Sequence, residues 1–456
     1  MHRGVFTSRM DAADSDTQKR DIKKIISDKG IEFIRLQFTD IFGFAKNVAI
    51  TTDEIDKALE GELMFDGSSV DGFGRIEESD MYLHPDLSTF QPVPWRPDEE
   101  GVAHIYCDVY GTDGRPFVGC PREILKRALR EAEDMGYELN VGPEGEFFLF
   151  YTDDHGDPLF DIHDAAGYFD LSPVDRGEDA RRDIILTMKR LGFRIEASHH
   201  EVAPGQHEID FKYDEALTTA DKWMTFKQIV KSIAQDHGLY ASFIPKPMSG
   251  QNGSAMHCNQ SLTDGARNAF YDPDGESGLS EVALYYIGGL MEHAKALPAI
   301  CNPTVNSYKR LVPGYEAPSN IAWSCNNRST FIRIPDSRGD GTRVELRTPD
   351  PTANPYLVFA VMLRAGLDGI KKKISPPDVI DQDVFSMSAK DRKACNIGTY
   401  PRSLLEALSN MEKDPLIRET LGDHAYSVFL KSKQAEWRDY EVEVHNWEIK
   451  RYLAKY

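Results

Sequence analysis

Apolar and polar side chains alternate through Ile31–Phe38 and again through Ala45–Ile50, with Thr39-Asp40-Ile41-Phe42-Gly43 between them. That alternation predicts a half-buried hairpin. Before it, Ile22, Ile25 and Ile26 recur among charges over 17–29, which predicts a short amphipathic helix ending at Gly30. Thr51-Thr52-Asp53-Glu54 reads as a capping box opening a helix that stops at Gly61. Met64–Pro85 is rich in Gly, Ser and acid and is expected to be a long irregular segment. His104–Tyr110 reads as a further strand. A small α+β domain is therefore expected over 17–115, after a flexible polar tail at 1–16 in which Met10 is an alternative start.

From Pro121, placed to open a helix that runs to Gly136, strands and helices interleave through 116–456. Strands are expected at 137–150, 193–211, 239–244, 254–262, 320–334 and 342–348. Helices are expected at 178–191, 218–237, 278–300, 354–373, 402–412 and 424–435. Short alternating runs with hairpin-like spacing predict a largely antiparallel sheet with helices outside, an α+β arrangement. The tail from Glu436 to Tyr456 mixes Trp437, Tyr440, Trp447 and Tyr452 with charges, so it is expected to dock on its own or another subunit.

Within this pattern Gly142-Pro143-Glu144-Gly145-Glu146-Phe147-Phe148-Leu149-Phe150 stands out. Residues i and i+2 of a strand face one side, so Glu144 and Glu146 would share a space. Two carboxylates about 4 Å apart repel by roughly 4 kcal/mol at an effective dielectric near 20. A divalent cation, a pair of arginines or a proton would have to answer that charge. A bulge at Gly145 that turns one Glu to water is the simpler alternative.

Composition narrows the classes. The chain has 456 residues, a formal charge of −21, and 19 Tyr with 23 Phe, so it folds around a large core and is not disordered. An acidic chain lacks the basic footprint needed for nucleic acid or anionic membranes. Six scattered Cys without a C-x-x-C pair read as free thiols of a reducing, cytoplasmic compartment. No apolar run approaches membrane-helix length, and neither a signal peptide, a P-loop nor a G-x-G-x-x-G is found.

Other acidic and basic groups recur at strand-like spacing. Glu201 and Glu208 flank Pro204-Gly205, so antiparallel strands could bring them together; taken alone, a solvated hairpin is the favoured reading. His257 follows Asn252-Gly253-Ser254. Arg343, Glu345 and Arg347 share a face. The run Asn302–Pro318 has little periodicity and carries Arg310 and Glu316, and Arg328 and Arg333 follow.

Together these stretches resemble glutamine synthetase of the bacterial and archaeal type I class. The matches are Met64–Ser69, Gly142–Phe148, His199–Val202, Asn252–His257, 302–318, Arg328 with Arg333, and Arg343–Arg347, in the family's order from about residue 20 to the end. The resemblance implies a β-grasp-like N-terminal domain over 17–115, and a catalytic domain over 116–456 with a curved antiparallel sheet flanked by helices. It implies ATP-dependent joining of ammonia to the γ-carboxylate of glutamate through γ-glutamyl phosphate. Two Mg²⁺ or Mn²⁺ would sit one on Glu146, Glu201 and Glu208, the other on Glu144, His257 and Glu345. Oxygen-rich ligation with one imidazole suits those ions.

The resemblance also assigns Arg310 and Arg347 to the substrate carboxylates and Asn252 and Gly253 to the amino-acid backbone. Arg328 and Arg333 would hold phosphates, and Glu196, Asn259, Gln260 and Ser261 would contact ATP. Glu316 would close a flap, and Asp40 would help deprotonate ammonium from an adjacent subunit. A homo-dodecamer of two hexameric rings is implied, with the aromatic tail docking between rings and nitrogen-regulatory proteins as candidate partners. Asn259 replaces a family histidine, and the lysine that some members place near ATP is missing between Arg333 and Glu345. Phe385-Ser386-Met387 replaces the adenylylation tyrosine, so no such control is expected, and Arg75 is a candidate feedback contact. An amine ligase of the same fold, an inactive homologue and an unrelated two-metal hydrolase are the alternatives. Acidic residues at 40 and 316 favour ammonia, and the intact ligands and arginines speak against the other two.

Overall fold

The computed structural model describes residues 15–73, 79–95, 100–325, 327–382, 384, 387–395 and 397–456. Arg75, Phe385, Ser386 and the start of the tail, 1–14, lie outside them.

Two sheets organise the chain. In the first, strand order runs Ala45–Thr51, Ile31–Thr39, Gly101–Gly111, Asp80–Pro85, Leu63–Asp66. Ile31–Thr39 and Ala45–Thr51 form the expected hairpin, but Ile31–Thr39 pairs in parallel with Gly101–Gly111. Ile34, Leu36, Leu83, Ile105 and Val109 fill its core, and Ile22 and Ile26 of the helix Ser15–Lys29 pack onto it.

Two expectations fail here. Met64–Pro85 is not irregular throughout: Leu63–Asp66 and Asp80–Pro85 pair antiparallel. Met81 and Leu83 supply the buried face of the second strand, a two-residue period too short to stand out from the surrounding Gly, Ser and acid. The capping box does not form either. Thr51 makes no side-chain cap; 52–54 wind as a single 3₁₀ turn before the helix Ile55–Leu59, and the Ile55 amide bonds to the Thr52 carbonyl instead.

The second sheet runs Gly398–Thr399, Asn320–Ser324, Thr330–Arg333, Val344–Leu346, Cys258–Asp264, Glu138–Thr152, Gln206–Phe211, Ile195–His200. Its ladders are antiparallel except between Asn320–Ser324 and Thr330–Arg333. Helices Ala216–Asp236 and Pro355–Lys372 supply much of the core beside it. The second is started by Pro355 and capped by Asn354, whose Oδ1 accepts from the Tyr356 amide at 3.1 Å. The expected helix 278–300 is two, Glu281–Glu292 and Pro298–Cys301, because Pro298 can begin a helix but not continue one. The last helices run Asp423–Glu441 and Asn446–Tyr452.

Arg122, at the start of the helix Pro121–Asp134, locks the two sheets together. Its guanidinium donates to Asp86 at 2.7 Å and Asp108 at 2.9 Å on one side and to Asp221 at 2.9 Å on the other. The three carboxylates share one buried cation, which burial alone would not permit to any of them. The six cysteines are free, four of them buried. No helix among the described residues is long and apolar enough to cross a membrane.

Candidate active site

The Glu144–Glu146 strand sets the site. Its register with Gln206–Phe211 is unbroken, placing Glu146 opposite Glu208 and Glu144 opposite Asp210. The bulge alternative at Gly145 therefore falls, and four acidic residues share one face of two neighbouring strands. Gly145 points the other way. A Cβ there would come 2.8 Å from the Ile209 carbonyl oxygen and 2.8 Å from Phe226 Cζ, so the strand lies too close to the helix for any side chain.

The hairpin around Pro204-Gly205 is not solvated. It returns Glu208 beside Glu201, and ligand atoms of His199, Glu201 and Glu208 all lie within 4.8 Å of one another. Glu144, His257 and Glu345 form a second group of the same tightness. His257 Nδ1 is 2.8 Å from Glu144, 3.8 Å from Glu146 and 3.9 Å from Glu345. Glu146 sits between the groups, accepting from the Ala255 amide at 2.8 Å and Gln206 Nε2 at 3.1 Å. His199 is thus closer to Glu201 and Glu208 than the sequence suggested.

The charges are unsettled as they stand. Burial and then Glu201 push the Glu146 carboxyl well above its usual range; burial, Asp210 and Glu146 do the same to Glu208. Asp210 rises to about 7, from burial and Glu144. His257 is held well below its ordinary value by burial and by Arg347, so its imidazole is neutral, the form that binds metals. Crowded carboxylates with a neutral histidine make a donor set that divalent cations would relieve.

Arginines and a loop close the cavity, about 190 Å³ in volume. Arg333 donates to Glu345 at 2.8 Å, and Arg347 meets the other oxygen of the same carboxylate. Glu345 and Arg347 are buried, and Arg333 is half-buried. Arg310 is buried and braced on the carbonyls of Thr348 at 2.8 Å and Arg347 at 3.1 Å. Asn252, Gly253, Glu316 and Arg328 line the same cavity. Glu316 has φ 55°, a left-handed backbone uncommon outside glycine, which turns the loop inward. Tyr168, paired with Arg328, also lines it. It sits in a loop without periodicity, and no sequence signal singled it out.

A second cavity of about 450 Å³ adjoins the first at Glu144. Glu196, Asn259 and Ser261 line it, together with Asp210 and Arg343, which the sequence reading did not assign to it. Asp210 was within reach of the rule that found Glu146, since Glu208 and Asp210 are also two apart. Arg343 Nε donates to Asn259 Oδ1 at 3.0 Å. Gln260 turns its amide inward, accepting from Tyr286 Oη at 2.6 Å, so only its main chain can serve this cavity. Strand alternation demands that once Asn259 and Ser261 face out.

Asp40 is not at these cavities. The turn folds its carboxylate inward, accepting from the amides of Phe42 at 3.0 Å and Phe44 at 2.9 Å, with Lys46 at 3.2 Å. A larger void of about 1050 Å³ beside that turn, edged by Ile41, Phe42 and Phe44, lacks the paired carboxylates and arginines.

Comparison with known proteins decides what this geometry is. Residues 118–452 match the family described as "Glutamine synthetase, catalytic domain" and 30–112 match "Glutamine synthetase, beta-Grasp domain". The chain belongs to the glutamine synthetase family. Among curated glutamine synthetases it is 57% identical to that of Clostridium saccharobutylicum, over 96% of this chain and 99% of that protein. It is 55% identical to that of Thermus thermophilus, again over 96% and 99%. Its fold superposes with a TM-score of 0.87 on a solved GmaS/ADP complex, 36% identical, covering 95% of this chain and 99% of that one. The Plasmodium falciparum glutamine synthetase structure gives a TM-score of 0.85 at 27% identity, covering 98% of this chain and 100% of that chain. The expected α+β class, with a β-grasp domain and a large catalytic domain, is thereby borne out.

Proposed function

We infer that the protein is a glutamine synthetase, forming glutamine from glutamate and ammonia at the expense of ATP. The observation that carries the reading is the meeting, in one cavity, of two acidic clusters with four arginines and a loop that turns Glu316 inward. A hydrolase would need the carboxylates but not the arginines or the loop.

Glu146, Glu201 and Glu208 would hold one divalent cation, with His199 as a neighbour, and Glu144, His257 and Glu345 the other. When bound, Mg²⁺ or Mn²⁺ would offset the carboxylate charge and polarise phosphate oxygens. The 450 Å³ cavity takes ATP, with Glu196, Asn259, the Gln260 main chain and Ser261 around it and Arg343 as an added cation. Arg310 and Arg347 orient the glutamate carboxylates, and Asn252 and Gly253 its amino-acid end. Its γ-carboxylate attacks the terminal phosphorus of ATP, ADP leaves, and Arg328 and Arg333 spread the charge of the phosphoryl group in transit. Glu316 then closes the cavity to water while ammonia attacks the acyl carbon and phosphate departs.

Asp40 acts, in this reading, in the site of an adjacent copy, taking a proton from ammonium. Burial raises its carboxyl above the ordinary value, as suits a proton acceptor, and the turn that bears it exposes Phe44 to 64%. A homo-dodecamer of two hexameric rings in the cytoplasm completes the proposal; exposed Val442, Val444, Trp447 and Leu453 on the tail supply apolar surface for it. The test is phosphate release by purified protein with ATP, Mg²⁺ or Mn²⁺, glutamate and ammonium. Release should require ammonium and match glutamine formed; release supported by alkylamines but not ammonium would overturn it.

A further inference from the structure

Lys246 is tied to three segments of the cavity wall without lining the cavity itself. Its main chain is clamped by one side chain of the aperiodic run: Lys246 N donates to Asn306 Oδ1 at 2.8 Å, and Asn306 Nδ2 donates to the Lys246 carbonyl at 3.0 Å. Its Nζ donates to the carbonyl of Gln251, next to Asn252 and Gly253. The same ammonium lies 3.7 Å from the ring centroid of Tyr315, the residue before Glu316.

The 250–254 loop is pressed onto this lysine. Ser254 N donates to the Pro245 carbonyl at 2.9 Å, and a Cβ on Gly253 would fall 2.1 Å from that oxygen and 3.2 Å from Lys246 Cδ. Lys246 is only 8% exposed and makes no ion pair with a carboxylate among the described residues. Burial, with Arg310 near, lowers its amine to about 8. A cation placed so has its charge answered by a carbonyl dipole and an aromatic face alone, which is where a cation–π contact is strongest.

We propose that Lys246 is a positioning residue that couples the substrate loop 250–254 to closure of the 312–318 loop, keeping water from the acyl phosphate until ammonia adds. Substrate bound against Asn252 and Gly253 fixes the Gln251 carbonyl. That fixes the ammonium, and the ammonium holds Tyr315 and with it the inward turn of Glu316. When the link is cut, water attacks the acyl carbon of γ-glutamyl phosphate, the carbon–oxygen bond to phosphate breaks, and glutamate and phosphate leave with the proton released to solvent. This rests on the reaction proposed above.

The test compares wild type with Lys246→Met, which keeps the stem and removes the charge, and with Tyr315→Leu, which leaves the Gln251 bond. Phosphate released per glutamine formed is measured together with KM and kcat for ammonium. Wild type should give about one phosphate per glutamine. Lys246→Met should leak phosphate and raise KM for ammonium about tenfold, the scale of a desolvated cation–π contact, with kcat at saturating ammonium far less changed. Lys246→Arg, which can stack and donate, should restore coupling. An unchanged ratio and KM in folded Lys246→Met overturns the proposal, as does a loss of kcat alone. If that variant does not fold, an unchanged ratio in Tyr315→Leu overturns it. Wild type that fails to release phosphate with ammonium sinks the reaction itself; a normal wild type with coupled variants sinks only the lysine's role.

Discussion

Glu146 stands directly opposite Glu208 across an antiparallel ladder, both are buried, and the Glu146 charge helps raise the Glu208 carboxyl. Such a pair costs the folded state unless a cation joins it, so metal binding should stabilise the folded protein. At a hundred times the dissociation constant, Mn²⁺ should add about 2.7 kcal/mol. Glu208→Gln should raise the melting temperature of the chelated protein and remove the share of the Mn²⁺ increment that comes from its own site, while activity falls about a hundredfold. Thermal unfolding with and without chelator checks both. A Glu208→Gln protein that keeps the full increment would remove Glu208 from the ligand set.

Gly145 gives a prediction that depends on packing rather than charge. Its missing side chain lets the strand approach Ile209 and Phe226. Gly145→Ala should cost about 1–3 kcal/mol by overpacking and weaken Mn²⁺ binding, because the displaced strand carries Glu144 and Glu146 together. Urea unfolding and metal titration measure the two effects; loss of neither would mean the neighbouring helix yields freely.

Much of this site was legible because strands repeat every two residues. Glu144, Glu146, Glu345 and Arg347 lie where alternation put them, and the Pro204-Gly205 turn did return Glu208 to Glu201. Alternation also turns Gln260 inward, between Asn259 and Ser261, which face out. Tyr168 and the Lys246–Tyr315 contact join segments far apart in the chain, and no local period encodes such meetings. The parallel pairing of Ile31–Thr39 with Gly101–Gly111 was hidden for the same reason. The hairpin was local and therefore visible; its neighbour was not.

Glu316 should separate phosphate release from amidation. Its left-handed backbone aims the loop into the cavity, and its carboxylate is the loop's charge there. Glu316→Ala should lower glutamine formation about a hundredfold, as loss of a charge-stabilising group does, while phosphate release without ammonium rises. An ammonium requirement as strict as wild type would end the closing role.

The tail offers a test of assembly. Val442, Val444, Trp447 and Leu453 are exposed on or beside the last helix, more apolar surface than a chain end normally leaves in water. Removing 437–456 should lower the mass of the assembly in ultracentrifugation at low concentration. A truncated chain of unchanged mass would show that the tail does not join copies.

His293 ties three helices, and its contribution should depend on pH. It follows the C-terminus of Glu281–Glu292, 2.7 Å from Asp414, the cap of Pro415–Leu421, and 3.2 Å from Asp368 on Pro355–Lys372. Lys372 also contacts Asp368, at 2.9 Å. Burial opposes the imidazolium, but the bonds to Asp414 and Asp368 outweigh it and raise His293 above its ordinary 6.5. A raised value means that the folded state holds the proton more tightly than the unfolded one. The stabilisation is therefore complete below about pH 6.5 and is lost as pH climbs through the raised value. His293→Gln should cost about 1–2 kcal/mol at pH 6, the scale of a partly buried charge at a helix C-terminus, and clearly less at pH 9. Urea unfolding at the two pH values decides it: an equal cost at both would assign His293 a packing role, and a larger cost at pH 9 would reverse the sign of the argument.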